Sequence, residues 1–281
     1  LLRRAQHNAG APLAGFVTAM HTDVDKISFT GSVEVGRKVL EQAAQDLRGA
    51  VLELGGKSAA ILLPGTDLRK NVLALNLRYS KNAGQSCGSP SRILVEESRL
   101  SEFVAATREI YSQITVGDPR DPRTMVGPVI SSKARDHIER AIAGAIDEGG
   151  YIIAGGGRPE GSAGWFVNPT LIGGLDNSST LARTEVFGPL SMVITYRDVE
   201  EAIQIANDSD LGLKAYVFGP TSECLRIVPQ LRVGTIQING GSAHRPDAAL
   251  VGYKHSGVGS EWGEDGLREF LRPQHVDCPL G

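Results

Sequence analysis

Cysteine is scarce: Cys87, Cys224 and Cys278 are the three in 281 residues, and no two of them form a CxxC pair. An odd count without paired spacing argues against a disulfide framework and against a zinc site. Strong charge of either sign is absent too. The 29 Lys and Arg against 32 Asp and Glu leave a net charge of −3, with no basic block. That balance argues against a general nucleic-acid or membrane-surface binder. Long apolar runs are missing. A stretch such as Ala59–Leu63 falls far short of the ~18 residues needed to span a bilayer. No basic segment leading into an apolar core opens the chain, so secretion is not indicated and a reducing, cytoplasmic setting is the default. There is no internal repeat, and Gly155-Gly156-Gly157 reads as a surface turn because no GxGxxG pattern follows a strand there.

What is present is material for a core. Hydrophobic residues make up 41% of the chain and 34 glycines come in addition, which excludes disorder. At ~150 residues per domain the length suits about two domains, or one large one. Apolar periodicity alternates between two and 3.6. Strands are expected at Lys26–Phe29, Ala50–Leu54, Ser58–Leu63, Arg92–Glu96, Tyr151–Ala154, Ser191–Tyr196, Ala215–Phe218 and Thr235–Ile238. Between them, helices are expected to bury Val35, Val39, Leu40 and Ala43; then Leu68, Val72 and Leu75 behind an Asp67 cap; then Leu100, Phe103, Val104, Thr107 and Ile114. A further helix is capped by Ser131 or Ser132, buries Ile138, Ile142, Ala145 and Ile146, and stops at Gly149. Two more span Val199–Asn207 and Ser222–Pro229, and residues 1–5 also read as helical. Alternation of this kind implies an α/β fold with a largely parallel sheet.

Three segments offer chemistry. In Gly84-Gln85-Ser86-Cys87-Gly88 a cysteine between small residues precedes a strand, so another molecule can approach the sulfur closely. A lone cysteine is also an ordinary small core residue, and reactivity would require a stabilised thiolate. Lys81 and Arg92 are near in sequence, but nothing in the sequence places their charge at the sulfur. Glu53, in Glu53-Leu54-Gly55-Gly56-Lys57, ends an apolar strand at the edge where open α/β sheets bind ligands. It reads either as a general base raised by burial or as a solvent-facing carboxylate paired with Lys57. Glu185-Val186-Phe187-Gly188-Pro189 sets a carboxylate and a ring beside a rigid turn, suited to sugar hydroxyls and an aromatic face, or simply to a turn with a core Phe.

Together these segments resemble the signatures of the aldehyde dehydrogenase superfamily, as does the separation of 34 residues between Glu53 and Cys87. Phe29-Thr30-Gly31-Ser32-Val33-Glu34-Val35-Gly36 and Gly252-Tyr253-Lys254-His255-Ser256-Gly257-Val258-Gly259 resemble two further family stretches in the same order. The resemblance implies an aldehyde dehydrogenase-like α/β fold: the remnant of a Rossmann-like nucleotide-binding domain over 1–54, a nucleophile-bearing catalytic domain over 55–250, and a return segment with an oligomerisation tail over 251–281. It implies oxidation of an aldehyde to a carboxylate with hydride transfer to NAD or NADP. Cys87 would be the nucleophile, with its own backbone N–H at the oxyanion, and Glu53 would be the base that activates water against the thioester. Gly31, Ser32, Gly36 and Leu54 would lie on the cofactor side, with a helix start at the pyrophosphate; Glu185 would bind the nicotinamide ribose and Phe187 would pack beside the nicotinamide. No metal is implied. The partners implied are a small-molecule aldehyde and, at full length, further copies of the chain, without nucleic acid or membrane.

Two positions depart from the family pattern: Ser260 stands where Arg is frequent, and Thr184 where a second Glu is common. Fewer than thirty residues precede the Phe-Thr-Gly-Ser motif, and none matches the family's oxyanion Asn or its ribose-reading loop. With Leu at position 1, the chain is expected to be the C-terminal part of a longer dehydrogenase, to bind cofactor weakly on its own and to associate through an exposed strand edge. On the substrate side Ser86, Gly88 and the 240–247 loop suggest a roomy pocket. Alternatives stay open: a coenzyme A acceptor in place of water, a cysteine hydrolase, or a non-catalytic oligomerisation or binding piece. For the hydrolase, none of His7, His21, His137, His244, His255 and His275 sits in a recognisable triad context.

Overall fold

The computed structural model describes residues 21–241 and 245–279. The helix expected over 1–5, His7, part of the 240–247 loop including His244, and the last two tail residues lie outside the described residues. In chain order, β1 (Lys26–Thr30) leads into α1 (Val33–Gln45), and β2 (Gly49–Glu53) returns parallel to β1. There follow β3 (Ser58–Leu62), α2 (Leu68–Ser80), β4 (Pro90–Glu96), α3 (Leu100–Tyr111), α4 (Ser132–Asp147), β5 (Tyr151–Ala154) and β6 (Thr170–Gly173). After these come α5 (Thr180–Arg183), β7 (Leu190–Tyr196), α6 (Val199–Asn207), β8 (Leu211–Gly212), β9 (Lys214–Phe218), α7 (Thr221–Ile227) and β10 (Thr235–Ile238). The last elements are β11 (Leu250–Val251), β12 (Tyr253–Lys254), β13 (Gly257–Val258), β14 (Ser260–Glu261) and α8 (Gly263–Arg268).

The central sheet runs β10-β9-β3-β4-β7-β6-β5, parallel throughout except for the antiparallel edge pair β5–β6. Its strands read as continuous apolar runs because both faces are covered. Along β3 the side chains alternate: Ala59, Ile61 and Leu63 pack with Ile138 and Ile142 of α4, whereas Ala60 and Leu62 pack with Leu68, Val72 and Leu75 of α2 and Phe103 of α3. A smaller sheet, β1-β2-β13, places the C-terminal return antiparallel against the end of β2, with Gly257 opposite Glu53. The outer edge of β1 has no strand partner among the described residues.

Caps fall where local chemistry demands. Ser131 accepts the Ala134 N–H at the start of α4, and Asp67 accepts that of Lys70. Four expectations shift. Val35 is 41% exposed, because α1 presses Gly36 and Ala43 inward and a Cβ at Gly36 would stand 2.6 Å from Leu54 Cδ2. Ile146, 40% exposed, sits at the last turn of α4, and Ile114 lies beyond the end of α3, reaching the core from the connecting segment. The helix expected to run to Pro229 ends at Ile227, where a 3-10 turn, Val228–Gln230, takes over because proline lacks the N–H an α-helix would use. Among the described residues no helix is long and apolar enough to cross a membrane.

Candidate active site

The loop carrying Cys87 is held in an unusual backbone path. After α2, Asn82, Ala83 and Gly84 take left-handed conformations in succession, with φ of 54, 51 and 70. Such a conformation strains alanine by roughly 1–2 kcal/mol and persists because its surroundings lock it. The Asn82 side chain donates to the Gln85 carbonyl at 3.0 Å, and the Gln85 amide oxygen accepts the Ile130 N–H at 2.8 Å. Gly84 is pressed so closely on the Gly188 carbonyl that a Cβ would overlap it. Beyond the sulfur, Tyr216 donates its hydroxyl to the Gly88 carbonyl at 2.7 Å, which ties the loop to β9. Cys87 ends up half-buried.

The Glu53 strand end meets this loop from the other sheet. A Cβ on Gly56 would overlap the Cys87 carbonyl oxygen, so the β2–β3 linker and the cysteine loop touch backbone to backbone. Ser256, fully buried, fastens that linker. Its hydroxyl donates to the Gly55 carbonyl at 2.7 Å and accepts the Gly212 N–H at 2.9 Å, while its own carbonyl accepts the Leu54 N–H at 2.8 Å. Glu185 joins them: Oε1 accepts the Gly56 N–H at 3.1 Å, and its other oxygen lies where a Cβ on Gly55 would be. Phe187, at φ 56, leaves its ring 49% exposed beside this group.

Charges on these side chains act on one another. Glu53 is only 5% exposed and its Oε1 is buried without a hydrogen-bond partner. Burial, reinforced by Glu261, pushes its carboxyl up to about 7, with Lys214 pulling the other way. The Cys87 thiol is raised by burial, then by Glu185; Lys214 opposes, Glu53 raises it further and the Gly88 N–H lowers it. Burial likewise raises Glu185, against the Gly56 N–H and Lys57. The solvent-facing reading of Glu53 therefore fails, and Lys57 is not its partner. Lys57 is buried and held down to about 7 by burial and Arg92, with Glu185 as the carboxylate acting on it. Arg92 does not reach the sulfur either: its guanidinium donates to the carbonyls of Lys57, Ile205 and Ala206 and to Asn177.

Cys87, Glu53 and Glu185 thus converge, with Phe187 at the rim. Gly31, Ser32, Gly36 and Leu54 form a second cluster at the start of α1, where Ser32 Oγ accepts the Val35 N–H at 3.3 Å. Glu53 links the two clusters, since its carbonyl accepts the Gly31 N–H at 3.1 Å. Gly88 does not contribute open space: it is buried, and the Lys214 stem lies against it. Sequence reasoning missed Ser256 as the linker clamp, Glu261 facing Glu53, and Lys214. For Lys214 there was a signal, a charged residue inside the apolar run Leu211-Gly212-Leu213-Lys214-Ala215-Tyr216-Val217-Phe218.

Comparison with known proteins points to one family. Residues 9–276 match the model of the aldehyde dehydrogenase family. A Mycobacterium tuberculosis aldehyde dehydrogenase complexed with NAD+ is 41% identical with a TM-score of 0.93, covering 97% of this chain and 56% of that one. Mutant aldehyde dehydrogenase C of Pseudomonas syringae, complexed with NAD+ and octanal, is 36% identical with a TM-score of 0.88, over 92% and 54%. Betaine aldehyde dehydrogenase of Staphylococcus aureus in complex with NAD+ is 38% identical with a TM-score of 0.89, over 93% and 53%. The chain spans about half the length of the curated relatives it matches, covering 54% of one from Staphylococcus haemolyticus at 42% identity.

Proposed function

The chain belongs to the aldehyde dehydrogenase family, and on that footing we propose that it carries the covalent chemistry of an NAD(P)-dependent oxidation of an aldehyde to a carboxylate. The observation that supports this best is the buried, unpartnered carboxylate oxygen of Glu53, a group near enough to Cys87 for its charge to act on the thiol. The Cys87 thiolate adds to the aldehyde carbon, and the resulting oxyanion takes a hydrogen bond from the loop backbone. A nicotinamide dinucleotide, when bound, supplies the hydride acceptor. The acyl group is left on Cys87 as a thioester. Glu53, poised at about 7, takes a proton from water as the water oxygen attacks that carbonyl; the carboxylic acid departs and the sulfur is regenerated.

The residues present fit the nicotinamide end of the cofactor. Gly55 leaves the space that a Cβ would fill beside the Glu185 carboxylate, an acceptor for sugar hydroxyls, and the exposed Phe187 ring offers an apolar face. Gly31, Ser32, Gly36 and Leu54 line the approach from α1, whose first N–H groups suit phosphate oxygens. Assembly into homo-oligomers and residence in the cytoplasm, where a thiol nucleophile stays reduced, complete the reading. Glu53 favours water over coenzyme A as the acyl acceptor, since a thiol acceptor needs no such base. The test is growth of reduced-nicotinamide absorbance on adding an aldehyde, with products compared with and without coenzyme A. Absence of that signal in a folded protein containing this chain and binding cofactor would refute the proposal.

A further inference from the structure

Lys214 opens β9 one residue before Ala215, which pairs with Ala59 of β3. It is 8% exposed, and its ammonium has neither a hydrogen bond nor an ion pair among the described residues. Its stem and head pack on Gly88, the residue after Cys87: a Cβ built there would stand 3.3 Å from both Cδ and Nζ. A larger residue at position 88 would displace the ammonium, and Tyr216, two residues along the same strand, holds that segment of the loop by its hydrogen bond to the Gly88 carbonyl. A buried cation without a fixed counter-charge is costly unless a negative charge forms beside it.

We propose that Lys214 is a positioning residue for the negative charge of the Cys87 sulfur, its ammonium held against the cysteine loop as the countercharge of the thiolate. This deepens the reading of Cys87 as the reacting atom. The setting requires such a group. Glu185 and Glu53 both face the sulfur and disfavour its thiolate, and Lys214 is the side-chain cation acting against them. The groups facing Lys214 are Cys87 from the loop, Glu53 from the end of β2 and Arg78 from α2; Arg78 is engaged with Gln237 Oε1 at 2.6 Å and lies over the Tyr216 ring. Glu261, from β14, faces Glu53.

The test needs neither aldehyde nor cofactor. Alkylation of Cys87 by iodoacetamide is followed against pH by mass spectrometry of the Cys87 peptide, which separates it from Cys224 and Cys278. An opposite charge at this range moves a titration by about one unit or more. K214M should therefore shift the alkylation midpoint upward, slowing the reaction about tenfold at a pH below both midpoints. K214Q should do the same while keeping a polar head, which provides a second neutral variant if K214M fails to fold. K214R, which keeps the charge, should return the profile to within about threefold of wild type. A folded neutral variant with the wild-type alkylation profile overturns the proposal, as does a K214R profile as displaced as that of K214M. A wild-type Cys87 unreactive at neutral pH would instead remove the nucleophile assignment itself, so the two failures are distinguishable.

Discussion

Replacing Glu53 by Gln should stabilise the fold while stopping the reaction, and both effects follow from the same burial. The Glu53 carboxyl is moved from an ordinary 4.5 to about 7 by burial first and Glu261 second, against Lys214. At ~1.4 kcal/mol per pH unit this shift corresponds to about 3 kcal/mol between the charged and neutral forms. Between those two pH values the folded chain keeps a proton that the unfolded chain has lost. The contribution of the group is therefore complete below 4.5 and disappears as the pH rises through 7. Gln does not ionise. The stability difference between E53Q and wild type should climb by about 3 kcal/mol from pH 4.5 to pH 8 and then level off. Urea melts of both proteins at matched pH values would measure it, since titrating groups that do not interact with Glu53 cancel in the difference. A flat difference, or one that falls with pH, refutes the reasoning. In turnover, a base with this midpoint makes the wild-type hydrolysis step rise about tenfold between pH 6 and pH 8. E53Q should release one equivalent of reduced nicotinamide per site and stall, and normal steady-state turnover would show that Glu53 is not the base.

Further outcomes follow from neighbouring contacts. C87A should abolish even the first equivalent of reduced nicotinamide while leaving the melting curve close to wild type, because a half-buried thiol is replaced by a smaller apolar group. R92M should cost about 3 kcal/mol or more, read by urea melts, since it strips the donors from the carbonyls of Lys57, Ile205 and Ala206. R92K should recover little of this, because an ammonium cannot reproduce the guanidinium fork. G56A and G55A should separate by mechanism. A methyl at 56 collides with the Cys87 backbone, so G56A should lower Cys87 alkylation and cost about 1–3 kcal/mol. A methyl at 55 meets the end of the flexible Glu185 side chain and displaces it, so G55A should weaken cofactor binding in a fluorescence titration without the loss of Cys87 alkylation that G56A brings.

What was legible in the sequence is what has a period. β3 and β9 announce themselves as apolar runs, because a strand covered on both faces has no polar side to show, and α4 carries its cap and its stripe within sixteen residues. Misreadings arose where a contact has no hydrophobic side chain to count. Gly36 is the residue of α1 that touches Leu54, and treating the valines as the inner face turned the helix so that Val35 pointed inward. Cys87 and Glu53 could be picked out by their small neighbours and strand-end position, yet their protonation could not. Glu53 is paired in the sheet with a strand, β13, that arrives some two hundred residues later, and the cation beside Cys87 comes from a strand more than a hundred residues downstream. Local pattern can nominate a nucleophile and a base. Whether either is ionised at neutral pH depends on Coulomb and desolvation energies over a few ångströms, and at those distances the neighbours of Cys87 are set by the order of strands in the sheet. Lys214 belongs to that second class: inside an apolar strand it looks like a flaw in the pattern, and only the β3–β9 pairing brings its charge to the sulfur.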